Sequence, residues 1–170
     1  MGHKRTIMKI NELSKIDKAV DLAQDVHSGQ YRKVSKKPYI IHPFRVYQRA
    51  RAMGLSNDVQ IIAVLHDTYE DAKNKAYVSD KIKSTYGETI WKYVLILSHD
   101  KGMDYNTYLL ALAKKSNVAL QVKLLDMIEN LLDNASPKQK EKYLSGLLYL
   151  LNNNVKIDNK IVSQIKRITQ

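Results

Sequence analysis

A chain of 170 residues, 44% of them hydrophobic, is long enough for one domain with a core and too apolar for wholesale disorder. It has no cysteine, which excludes disulfides, thiolate metal sites and thiol nucleophiles and suits a cytoplasmic location. Lysine and arginine outnumber the acids 28 to 17, a net charge of +11 that favours anionic partners: nucleotide phosphates, nucleic acid or acidic lipid. No window reaches membrane-spanning length, and the basic start MGHKRTIMKI has no apolar stretch behind it.

The elements read as helix from end to end. Three prolines and six glycines interrupt the chain, and no stretch shows period-two alternation with β-branched residues. The first helix runs from Glu12 to Ser28, with Ile16, Ala19, Ala23 and Val26 on its apolar face and Gly29 at its end. A basic loop, QYRKVSKKPYIIHP, follows. Pro43 disfavours the α conformation at His42, so His42 is expected at the mouth of a helix from Pro43 to Met53. Ser56, Asn57 or Asp58 caps the next helix, and VQIIAVLHDTYED is expected to run along it without a break. Helices are then expected over Val78–Tyr86 and Thr89–Leu97, with SHDKGMD as a loop, and over Tyr105–Lys115 and Val118–Leu132. Ser136, Pro137 and Gln139 form a cap, a first-turn proline and a capping box for a helix reaching Leu151. A last helix places Ile157, Ile161, Ile165 and Ile168 on one stripe. The expected fold is all-α, a single domain over residues 1–170 of roughly eight to ten helices. Its core covers about 12–135, and 136–170 is a helical extension whose role stays open.

The chemistry concentrates in LHDTYEDA. On a helix, Glu70 lies four residues after His66 and Asp71 four after Asp67, which crowds a histidine and three carboxylates together. A divalent cation is the natural counter-charge. His66 and Asp67 alone make an incomplete site. His42, held by its proline, and Asp126, in VKLLDMIENL, are the best further ligands. Lys123, Asp126 and Asn130 form one polar stripe on an otherwise apolar helix, and buried polar groups need partners. Taken singly, each piece has an ordinary reading: a surface His–Asp hydrogen bond, a packed histidine, a solvated acid. Their conjunction carries the argument. His99-Asp100 is read as a doublet without a ligand role, and His3 lies in the terminus.

His27-Ser28-Gly29-Gln30-Tyr31-Arg32-Lys33, Pro38-Tyr39-Ile40-Ile41-His42-Pro43, Leu65-His66-Asp67-Thr68-Tyr69-Glu70-Asp71, Tyr86-Gly87 and Lys123-Leu124-Leu125-Asp126 with Asn130 stand in this order. Together they resemble the HD-domain metal-dependent phosphohydrolases, and within them the RelA/SpoT-type alarmone hydrolases. The resemblance implies Mn²⁺, or another divalent transition metal, held by His42, His66, Asp67 and Asp126. It implies Glu70 and Asp71 as the catalytic acidic pair. It also implies nucleotide contacts from Arg32, Lys33, Asn130, Lys123 and His27, with the Arg32 guanidinium stacking on guanine. The implied substrate is ppGpp or pppGpp, cut to GDP or GTP and pyrophosphate. The sequence departs from full-length relatives at Met127 and Glu129, where arginine and histidine are usual, and at Val34-Ser35 in the basic loop. Those departures keep alternatives open: another phosphorylated nucleotide such as NADPH or a nucleoside monophosphate, or a non-catalytic basic module. Nucleic acid and membrane are not expected as partners, and homo-oligomerisation is left open.

Overall fold

The computed structural model describes residues 15–98 and 102–170, so the starts of the first helix, His3 and the His99-Asp100 doublet lie outside the described residues. The described residues form helices α1 (15–26), α2 (Ile41–Ala52), α3 (Asn57–Leu65), α4 (Thr68–Asp71), α5 (Lys75–Tyr86), α6 (Glu88–Leu97), α7 (Tyr105–Lys115), α8 (Asn117–Leu132), α9 (Pro137–Asn152) and α10 (Asn159–Thr169). No strand occurs among them; an isolated bridge between Tyr31 and Pro38 pins the basic loop. None of these helices is long and apolar enough to cross a membrane.

The caps follow local chemistry. Ser56 accepts from the Val59 amide, Asp104 from Thr107 and Ser116 from Ala119, each relieving an unpaired first-turn N–H. Ser136 and Gln139 exchange both bonds of the capping box. α5 starts earlier than expected because Asn74 caps it through the Tyr77 amide. α10 starts at Asn159, which leaves Ile157 ahead of the helix as a packed residue; Ile161 and Ile165 carry the buried stripe.

Two expectations about helix boundaries are corrected. His42 lies inside α2, one residue before Pro43, and not outside it. Proline at the third helical position removes an N–H that has no intrahelical partner anyway, so the helix can begin at Ile41. The run VQIIAVLHDTYED is also not one helix. α3 stops at Leu65, His66 and Asp67 form a turn, and α4 begins at Thr68. The Thr68 hydroxyl donates to the Leu65 carbonyl at 2.6 Å, satisfying a carbonyl that the break would orphan.

α8 runs through the centre and packs against α2, α3, α6, α7, α9 and α10. Leu120, Leu124, Leu125, Met127 and Ile128 are almost fully buried on it. The same helix buries two acids, Asp126 and Glu129. α9 approaches α7 closely at Gly146. A Cβ there would lie 2.7 Å from Leu109 Cδ1 and 3.2 Å from Tyr105 Cε1, so any larger residue would have to push the Leu109 side chain aside.

Candidate metal centre and nucleotide cavity

Three elements converge behind the basic loop. α2 brings His42, the α3–α4 turn brings His66 and Asp67, and α8 brings Asp126. Their facing atoms alternate nitrogen and oxygen around a ring. His42 Nε2 lies 2.9 Å from Asp126 Oδ1 and 3.7 Å from Asp67 Oδ2; His66 Nε2 lies 3.0 Å from Asp67 Oδ2 and 3.7 Å from Asp126 Oδ1. The ligand atoms of His42, His66 and Asp67 all fall within 4.8 Å of one another. Asp126 joins them through its contacts with both imidazoles. His66 and Asp67 keep helical dihedrals through the turn, so their side chains leave the backbone about 100° apart and lean toward the one centre between them.

Whether a cation suits this ring can be decided from the hydrogen bonds. His66 Nδ1 sits 2.8 Å from the Ala63 carbonyl, which can only accept, so Nδ1 carries the proton. In the neutral ring Nε2 then presents its lone pair to the centre. That atom is buried and has no hydrogen bond of its own. Two imidazoles and two carboxylates with an orphaned inward nitrogen are a set of donors that could hold a divalent metal ion.

The electrostatics show what balances the ring when protons stand in for an ion. Burial alone would lower the pKa of His66, but the carboxylates of Asp67 and Asp126 raise it to about 10. Burial opposes ionisation of Asp67 too, yet His66 holds it below the usual carboxylate range. Asp126 is likewise driven well below that range, by Lys123 first and then by the two histidines, against its burial. Lys123 answers in kind: burial works against its charge and Asp126 raises it well above the ordinary lysine value.

Around the ring, each acid has a donor. Lys123 Nζ donates to Asp126 Oδ2 at 2.7 Å, and Asn130 Nδ2 donates to Asp126 Oδ1 at 2.6 Å. Lys123 therefore pairs with the ring and does not project into solvent. Tyr39 is the residue that motif reading quoted without assigning a role. Its hydroxyl donates to Asp67 Oδ2 at 2.8 Å, and its ring packs edge-on to His42 and beside His27. Its place three residues before His42 is the signal that could have found it.

Outside the ring lies a cavity of about 530 Å³, lined in part by Tyr31, Arg32, Lys33, Tyr39, Asp71 and Asn130. Arg32 spans its wall: Nε donates to Asp133 Oδ2 at 2.9 Å, Nη2 donates to Asn130 Oδ1 at 2.6 Å, and the guanidinium lies 5.4 Å from the Tyr39 ring centre. Asp133 also accepts from Ser35 at 3.2 Å, and sequence reading missed it. His27 is buried against Tyr39, with Nδ1 2.9 Å from Gln30 Oε1 and 3.8 Å from Asp71 Oδ2. Glu70 is exposed on α4, and Asp71 follows it at the cavity edge. One turn past Asp126, Glu129 is bound by Arg49 through Nε at 2.7 Å and Nη2 at 2.5 Å.

These features can be set beside known proteins. The chain is similar to the guanosine-3′,5′-bis(diphosphate) 3′-pyrophosphohydrolase of Aquifex aeolicus, 32% identical over 123 residues, which is 68% of this chain and 17% of that protein. It is 42% identical over 60 residues to the protein of the same name in Borreliella burgdorferi, covering 35% of this chain and 9% of that one. A GTP pyrophosphokinase of Streptomyces antibioticus is 31% identical over 83 residues, 49% of this chain and 9% of the relative. The chain thus spans less than a fifth of the length of these relatives. A solved structure described as a metazoan ortholog of SpoT that hydrolyzes ppGpp superposes with a TM-score of 0.73 at 20% identity, covering 91% of this chain and 93% of that one, and shares the fold. Residues 19–121, more than half of the chain, match the model for the HD domain, and the chain belongs to that family.

Proposed function

We propose that this chain is a hydrolase that removes the 3′-pyrophosphate of ppGpp or pppGpp with Mn²⁺ as its cation. The observation that carries the reading is the adjacency of the four-atom N/O ring to a cavity of nucleotide size with an arginine, a lysine and an amide in its wall. The names of the Aquifex and Borreliella relatives support it.

His42, His66, Asp67 and Asp126 would hold the cation. When bound, it supplies polarisation of a phosphoryl oxygen and a lowered pKa for water. The chain's own residues do the rest. Lys123 and Asn130 fix Asp126 in place, and Tyr39 fixes Asp67. The nucleoside lies in the cavity, with Arg32 offering its planar face and Lys33 a point charge. Asn130 presents its amide to the ribose side. Glu70 and Asp71 take the proton from the attacking water as its oxygen bonds to the 3′ phosphorus. The bond from that phosphorus to the ribose 3′ oxygen breaks, the 3′ oxygen is protonated, and pyrophosphate departs. His27 holds the Asp71 side of the cavity through its buried contact.

Of the two departures on α8, Met127 is fully buried in the core; Glu129 is tied to Arg49 and lines a small neighbouring cavity with Arg32 and His42 rather than the nucleotide cavity itself. The same reading takes residues 1–170 as one cytoplasmic domain, consistent with Leu147, Leu150, Ile161 and Ile165 lying in the shared core. The test is pyrophosphate release from ppGpp by the Mn²⁺-loaded protein. Release from ppGpp, lost on Asp67→Ala, is the expected result. Turnover of NADPH or a nucleoside monophosphate in its place would overturn the substrate and keep the class.

A further inference from the structure

Lys142 lies on α9, outside every motif that sequence reading singled out. Its Nζ stands 4.1 Å from the Tyr105 ring centre and 5.7 Å from that of Tyr143. Tyr105 neighbours Tyr108 at 6.2 Å, and Lys123 Nζ lies 5.9 Å over Tyr108 while bonding Asp126. Two ammonium groups thus face one tyrosine wall beside the candidate metal centre. They differ in their partners. Lys123 has Asp126; Lys142 makes no ion pair among the described residues. The close approach of α9 to α7 explains the placement. Gly146, one turn on from Lys142, lets the helices meet at Leu109 and Tyr105, and that contact carries Lys142 onto the same face.

Lys142 is exposed, stands over aromatic rings near a second lysine, and has no acid paired with it among the described residues, so its charge is open to an anion. Burial lowers its pKa and Lys123 lowers it further, while Asp126 opposes them. Geometry also says which anion. Arg32, Lys33 and Asn130 line the cavity together with Gln139 of α9, one turn before Lys142. Lys123, bonded to Asp126, and Lys142 stand over the neighbouring tyrosines, where an outer phosphate would meet two ammonium groups.

We infer that Lys142, with Tyr105 beneath it, forms a binding subsite for the outer phosphate of the 3′-pyrophosphate, so that α9 completes the substrate site. Lys142 is a specificity-determining residue here: a substrate ending in a single phosphate does not reach it. This inference rests on the proposed function for its substrate. Its first test does not depend on turnover.

In EDTA, inorganic pyrophosphate is titrated against the full-length protein and the melting temperature followed. Wild type is expected to be stabilised. Lys142→Gln should need about tenfold more pyrophosphate for the same shift, and Lys142→Arg should restore it. Lys92→Gln, an exposed lysine on α6, should behave as wild type. In the Mn²⁺-loaded protein, Lys142→Gln should raise the KM for ppGpp about tenfold with little change in kcat. If pyrophosphate stabilises Lys142→Gln as well as wild type, or fails to stabilise wild type, the subsite is wrong even where ppGpp is hydrolysed. An equal loss in Lys92→Gln would reduce the effect to bulk charge and overturn it too. A pyrophosphate response that needs Lys142, in a protein inactive on ppGpp, would retain the subsite and overturn the substrate.

Discussion

Helix α8 buries two carboxylates three residues apart, and they are matched in opposite ways. Among the described residues Glu129 pairs with Arg49 alone, which grips it with two nitrogens from α2. Asp126 is shared among Lys123, Asn130 and His42, with His66 3.7 Å away. A one-to-one ion pair is closed: the charges cancel and nothing further is required. A carboxylate among several donors, some of which can lose their protons, can exchange those protons for another cation. The same residue class on the same helix therefore serves packing at one turn and chemistry at the next. Partners from other helices make the difference.

Breaking the shared carboxylate should have the largest effect. Asp126→Ala removes one ligand and leaves Lys123 buried without its acid. Mn²⁺ binding and hydrolysis should fall by at least about a thousandfold. Electron paramagnetic resonance titration and pyrophosphate release measure the two losses, and retention of tight binding would remove Asp126 from the ligand set. Tyr39→Phe is a milder break in the same ring. Loss of the hydrogen bond to Asp67 should reduce metal affinity by roughly ten- to a hundredfold. A KM change with unaltered metal affinity would place Tyr39 in the nucleotide cavity alone.

Protons sharpen the comparison on the Asp126 side. With the pKa of His66 raised to about 10, its contribution to the metal-free protein is complete below the unfolded value of about 6.5 and disappears as pH rises through about 10. Asp67 and Asp126 are depressed, so their contribution holds above the ordinary carboxylate range and is lost only in strong acid. A cation must displace the His66 proton, so Mn²⁺ affinity should rise up to about tenfold per pH unit from pH 6.5 upward. At the same time the melting temperature of the EDTA-treated protein should decline. Affinity independent of pH would contradict the protonated ring.

The smallest effect on activity is expected at Glu129. Glu129→Gln leaves Arg49 partly buried without its acid and should destabilise the fold by about 2 kcal/mol, with metal affinity unchanged. Replacing both partners by Leu and Met should recover much of that loss, as measured by chemical denaturation. Weakened metal binding in Glu129→Gln would show that the two acids are coupled along α8.

Much of this was legible before folding is considered. The caps at Ser56, one of three neighbouring candidates, and Ser136 were legible because a cap acts within four residues of itself; Asp104 and Ser116 cap in the same local way but were not singled out. The polar stripe Lys123–Asp126–Asn130 follows from helical spacing, and its internal bonds are those the spacing allows. The turn at His66 and Asp67 was misread because apolar periodicity continues through it. The bonds from Tyr39 to Asp67 and from Arg32 to Asp133, and the approach of Lys142 to Tyr105, join residues 28 or more apart in the chain, so local sequence does not show them.

The amino-acid sequence by itself determined the helices, their caps and the identity of the donor groups, because each depends on interactions within a turn or two of backbone. Only the tertiary structure decided that α2, the α3–α4 turn and α8 aim those donors at one point. It alone set α9 close enough to α7 to lay Lys142 over the Tyr105 ring. Convergence of that kind is set by how helices pack at long range, where a glycine at a crossing or a break between two short helices moves a side chain by more than the length of a hydrogen bond.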